Sequence, residues 1–142
     1  MTVKNLEYNV VDRIVTQLAL PDGTGNYNNS IASTQVHTEF KTPTQINVFP
    51  ALVIGDVSIP ETIPLSRSAF EIPIEVEIWG YTKKEVSTRM EVLKLLSDVR
   101  VAILSDEWLN QQVNGLTLSA EMGEMEGFGV LRLTLSGTME HT

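Results

Sequence analysis

Residues 70–81, FEIPIEVEIWGY, decide the fold. Phe70, Ile72, Ile74, Val76 and Ile78 fall on one side of an extended chain, and Glu71, Glu75 and Glu77 fall on the other. Strict period-two alternation is the pattern of a strand buried on one face only. The apolar row demands a core. The acidic row poses a question of function: three glutamates on one strand must look at something.

Directly after this strand the period changes. Thr82-Lys83-Lys84-Glu85 has the capping-box pattern, and Val86, Met90, Leu93, Leu96, Val99 and Ile103 then recur every three or four residues. The spacing predicts a helix of about five to six turns, with Glu85 and Arg89 as an i,i+4 pair. Upstream, Ala51-Leu52-Val53-Ile54 is apolar on both faces and reads as a central or doubly covered strand, with Pro50 suited to its start. Pro60, Pro64 and Ser66-Arg67-Ser68 make an extended connection between the two strands. At the N-terminus Leu6, Val10, Val11, Ile14 and Leu18 keep a helical spacing that Pro21-Asp22-Gly23 ends. Residues 22–47 form a long polar stretch rich in Asn, Ser, Thr and Gly, with room for a short strand within Thr34–Phe40. Its few apolar groups lead to the expectation that it orders only against a neighbouring subunit or partner, together with Pro60–Ser68.

Beyond the Asn114-Gly115 turn signal, Leu116, Leu118, Ala120 and Met122 alternate with Thr117, Ser119 and Glu121. Leu131, Leu133 and Leu135 then alternate with Arg132 and Thr134, so these are two strands of a hairpin. With Glu126 and Gly127 at the turn centre, Met122 opposes Leu131, Ala120 opposes Leu133 and Leu118 opposes Leu135. The opposite face then pairs Glu121 with Arg132 and Ser119 with Thr134. A one-residue slip would turn one strand's leucines away from the core, so the pattern points to this register or one shifted by two, with a longer loop using Gly123 or Gly129 as the alternative turn. Glycine suits the second position of a type I′ turn, whereas Glu at the first suits it poorly. The order helix, two strands, helix, two strands predicts an α+β fold. Its antiparallel sheet would hold two strand pairs, with the N-terminal and central helices on one face.

Composition narrows the function. A chain of 142 residues suits one domain, able to bury roughly 68–70% of its unfolded surface. It has no cysteine, which excludes disulfides, thiolate metal sites and cysteine nucleophiles. No apolar run approaches a membrane span, and MTVKNLEYN lacks the layout of a secretory signal. The net charge of −8, with ten scattered basic residues, argues against a surface that grips phosphate. Walker, dinucleotide, G-x-S-x-G and H-E-x-x-H motifs are absent. Gly123–Gly129 is glycine-rich but lacks Lys and reads as a hairpin turn. His37 and His141 are the only histidines, too few and too far apart to suggest a metal or catalytic centre. Glu75/Glu77 and Glu124/Glu126 read as solvated faces, not as an acid–base pair. Trp79 and Trp108 suit an interface or a packing boundary. Asn28-Asn29-Ser30 matches a glycosylation acceptor without secretory context. No catalytic residue, cofactor or metal is expected, and the reading is of a non-enzyme.

The N-terminal helix LEYNVVDRIVTQL, the opener FPALVIGD, the strand FEIPIEVEIWGYTKKE running into MEVLKLLSDVRVAIL, and the hairpin LTLSAEMGEMEGFGVLRLTLSG together resemble tail terminator (tail completion) proteins of tailed bacteriophages. The likeness spans residues 1–139 and is one of layout; the Asn-rich 22–47 segment departs from the plainest form. It implies a hexameric ring in the virion, assembled in the host cytoplasm. Such a ring caps the tail tube protein, ends tube polymerisation, and joins the tail to the head connector. DNA would pass through without specific binding. Six copies at −8 each carry −48, a field that repels phosphate. Glu71, Glu75 and Glu77 can line such a channel, face solvent, or meet basic residues of a neighbour. With Trp79 and Arg67 they are the expected interface residues. Alternatives are another head–tail neck or stopper component, or a small homodimeric α+β enzyme or ligand-binding domain. The last would place convergent polar residues among the apolar positions, and none stand out.

Overall fold

The computed structural model describes residues 5–84 and 88–141. Glu85 and Val86, and with them the capping box and the Glu85–Arg89 pair, fall outside the described residues. In chain order the elements are α1 (Leu6–Leu18), β1 (Val36–His37), β2 (Ala51–Ser58), β3 (Ile63–Pro64), β4 (Phe70–Thr82), α2 (Thr88–Leu104), α3 (Glu107–Gln112), β5 (Val113–Met125) and β6 (Phe128–His141). The fold is α+β.

The sheet does not consist of two strand pairs. β4 and β6 pair antiparallel over their full length, from Phe70 opposite His141 to Thr82 opposite Gly129, and so fuse both hairpins into one six-stranded sheet. Its order is β1-β2-β4-β6-β5, with β3 also on β4. β1 lies parallel to β2 and the other pairings are antiparallel, which makes the sheet mixed. The reason is burial on both flanks of the quoted strand. A lone hairpin would leave one side of β4's apolar row open, whereas here Ile74, Val76 and Ile78 are all buried.

The apolar face of the sheet carries the core. Leu52, Ile54, Ile72, Ile74, Val76, Ile78, Leu131, Leu133 and Leu135 meet Leu6, Val10, Ile14 and Leu18 of α1, Val92, Leu95, Leu96, Val99 and Ile103 of α2, and Leu109 of α3. Met90 and Leu93, assigned to the helix stripe by spacing, are exposed. Two polar connections, one buried and one half-buried, position the helices. Gln17 donates its amide to the Ala102 carbonyl, 3.2 Å. Asp106 caps α3 through the Leu109 N–H and takes two bonds from Arg13 of α1, at 2.7 and 3.0 Å. Arg13 holds the Asp106 carboxyl below its usual range, against the upward push of burial.

Segment 22–47 is held within the subunit, contrary to the expectation that it orders only on assembly. Ile31, Val36 and Ile46 are buried. Asp98 of α2, with no exposed surface, accepts the backbone N–H groups of Asn28 and Asn29 and both of their side-chain amides. The asparagines of the acceptor-like Asn28-Asn29-Ser30 are thus spent on a carboxylate. The end of this polar stretch folds over the second face of the sheet. Ile46 and Phe49 pack there on Ala51, Val53, Tyr81 and Val130, and the Tyr81 hydroxyl donates to the Lys41 carbonyl, 2.8 Å. β2 is therefore doubly covered, as its sequence predicts.

The closing hairpin takes the expected register from Met125 opposite Phe128 to Leu118 opposite Leu135. Glu126 and Gly127 have φ of 52° and 87°, so the turn has the two positive φ values of type I′ despite the glutamate. Asn114-Gly115 is not a turn before the strand. β5 starts at Val113, straight out of α3, and the register shifts between Asn114 and Thr117, with Gly115 at φ 64°. This is a bulge with a glycine in the left-handed region.

Candidate functional site

The second face of the sheet changes character along the strands. Under Ile46 and Phe49 it is apolar and covered. Next comes a charged aromatic cluster. β4 and β6 place Trp79 directly opposite Arg132. The Arg132 guanidinium lies 5.4 Å from the Trp79 ring centroid and bonds Glu77 Oε2 through Nε (3.1 Å) and Nη2 (2.9 Å). The Trp79 indole N–H donates to Glu77 Oε1, and Phe40 meets the indole edge-on at 5.9 Å. Burial pushes the Glu77 carboxyl up, but the Trp79 and Arg132 bonds outweigh it and leave the group below its ordinary range. Burial and the nearby Glu77 charge raise the Tyr81 hydroxyl. Phe40, Asp56, Glu77, Trp79 and Arg132 line a shallow depression.

The acidic row of the quoted strand is therefore not uniform. Glu77 is committed to an ion pair and an indole. Glu75 is exposed, between Ser58 and Ser136 on the neighbouring strands. Glu71 stands directly opposite Glu140, a like-charged cross-strand pair of the kind that destabilises a sheet. Glu121 does oppose Arg132 in register, but the guanidinium bonds Glu77 and feels Glu121 only through its field. Arg67 sits exposed in the turn where the Leu65 and Ser66 N–H groups bond the Ala69 carbonyl.

Other residues singled out by sequence are dispersed. Trp108 is half-buried against the core from α3. His37 lies in β1, its pKa lowered by burial and by Lys41. His141 ends β6 with its ring 6.0 Å from Phe70. Glu124 and Glu126 are exposed at the hairpin end. Among the described residues no three His, Asp or Glu side chains are grouped to hold a metal ion, and no helix is long and apolar enough to cross a membrane.

A ring interface is expected to use exposed sheet edges and uncovered apolar residues such as Ala51–Ile54, but Ala51–Ile54 is buried within the subunit, and the sequence did not place the two edges that stay open. β5 pairs β6 on one side, and among the described residues no strand pairs its other side along Val113–Met125; Met122 and Met125 are 49% and 42% exposed. At the opposite edge β1 covers β2 only at Leu52 and Val53. Beyond that point Val57, Ile59, Ile63 and Leu65 are exposed. The signal was present as apolar residues in excess of what one helix layer can cover, but period alone does not say which strand ends up outermost. No family model and no characterised protein matches the chain.

Proposed function

We propose that the chain is a structural assembly protein of the tail-terminator type. In this reading six copies form a ring that caps a tail tube, stops its growth, and presents its far side to a head connector while DNA passes through. The observation that carries this reading is the uncovered β5 edge. A long exposed edge is a liability that soluble proteins blunt; β5 has a bulge at its start and Glu121 and Glu124 along it, but it has no proline or lysine and leaves Met122 and Met125 exposed. Leaving it bare makes sense where another chain covers it. The polar face supports the same reading: Glu71, Glu75 and Glu140 give it an acidic, unoccupied stretch suited to repelling phosphate from a channel wall.

Native mass measurement and sedimentation of the full chain, alone and with tail tubes, test this. A ring of six, free or formed on tube ends, is expected. A compact monomer at every concentration, with no ring on tubes, overturns it.

A further inference from the structure

The two open edges match each other. Along β2-β4-β6-β5 every pairing is antiparallel, so β2 and β5 run in opposite directions at opposite sides of one sheet. Bringing β5 of one copy beside β2 of the next, by rotation about an axis along the strands, therefore makes an antiparallel seam with the same faces aligned. Four alternating strands per copy let this repeat indefinitely, and a closing rotation gives a ring.

The levels along the strands also agree. Leu118 pairs with Leu135, Leu135 with Val76, and Val76 with Val57, all on the helix-bearing face. Thr117, Ser136, Glu75 and Ser58 form the next level, on the polar face. A neighbour docked without axial shift thus sets Val57 beside Leu118 and Ser58 beside Thr117. Val57 and Ile59 are 44% and 37% exposed in the single chain. In the seam Val57 lies beside the half-buried Leu118 and Ile59 beside the half-buried Leu116, while Ile54 comes level with the exposed Ala120.

Charge favours the same partner. Arg89 borders the groove between α2 and β5 with Val92, Met122 and Glu124, and Arg100 follows on the same flank at helical spacing (i+11). Glu61 follows the β2 edge, and the stretch from Thr42 to Ser66 contains no Lys or Arg. Arg89, Arg100 and Glu61 are exposed, and among the described residues none of the three is in an ion pair. Pro60, which lacks an N–H, ends the usable edge, and β1 limits it at the other end.

We infer that the contact between copies is a strand-addition seam in which Ile54–Ile59 of one copy pairs antiparallel with the Leu116–Ala120 edge of the next, continuing the sheet around the ring. The seam rests on the ring reading and goes beyond it by naming both surfaces and their register.

The chain has no cysteine, which makes the test direct. The double variant Ser58→Cys/Thr117→Cys, oxidised after assembly and run under denaturing, non-reducing conditions, should give a ladder rising to the full ring. Each single variant should stay monomeric on the same gel. Independently, Ala120→Lys/Met122→Lys should abolish assembly at concentrations where the parent is fully assembled, with the monomer's thermal midpoint unchanged because both side chains are exposed. An assembled double-cysteine protein that forms no cross-link overturns the seam and leaves the ring reading standing. Disulfide-linked dimers from Thr117→Cys alone would mean β5-to-β5 pairing and also overturn it. Failure of the parent to assemble under any condition overturns both.

Discussion

Replacing Asp98 by alanine should release the polar segment that the structure ties to α2. The carboxylate is fully buried and accepts the Asn28 and Asn29 backbone N–H groups at 2.7 and 2.9 Å and their side-chain amides at 3.2 and 2.8 Å. The side-chain amides can turn to water, whereas the backbone donors can do so only if the loop lifts. Two backbone bonds to a charged acceptor contribute about 3–6 kcal/mol together. Removing a buried carboxylate also recovers its desolvation cost, which leaves a net loss of about 2–4 kcal/mol. Asp98→Asn should fall in the same direction, since an amide offers one acceptor oxygen and points two donors at donors. Urea unfolding measures the global effect. Amide exchange at Asn28–Ile31 measures the local one, expected to quicken by about 30- to 1,000-fold at about 1.4 kcal/mol per decade. If Asp98→Ala stays within about 0.5 kcal/mol of the parent and exchange at 28–31 is unchanged, the argument that this carboxylate holds the segment in place is wrong.

The Arg13–Asp106 pair predicts an acid-sensitive component of stability. A depressed carboxylate contributes stability that is fully present above its unfolded pKa and lost as pH falls through its folded pKa. Asp106→Asn should thus be less stable than the parent near neutrality and converge with it in acid; parallel stability curves across that window would count against the pair. In the closing hairpin, Glu126→Asn should stabilise by about 0.5 kcal/mol because asparagine tolerates positive φ. Gly127→Ala should destabilise by about 1 kcal/mol for the converse reason, and thermal unfolding of the two variants checks both signs.

What the sequence determined by itself is whatever rests on neighbours in the chain or on one hairpin. Period two placed Ile72, Ile74, Val76 and Ile78 in the core, helical spacing placed α1 and α2, and matching of apolar residues narrowed the β5–β6 register to the observed one or a shift of two. These are local or single-turn constraints, where one shift exposes several leucines at once. Only the tertiary structure decided which strands meet across long separations and what covers each face. Nothing in the chain before folding says that β4 and β6 join, that Arg132 turns to Glu77 and Trp79 instead of Glu121, or that Asn28 and Asn29 find Asp98 about 70 residues away. The polar 22–47 stretch looked unable to order alone because composition counts apolar groups. Its anchor is a buried carboxylate satisfied by four donors, and such a bond depends on geometry that composition does not carry. The open edges belong to the same class, because a strand is an edge only by virtue of what fails to lie beside it.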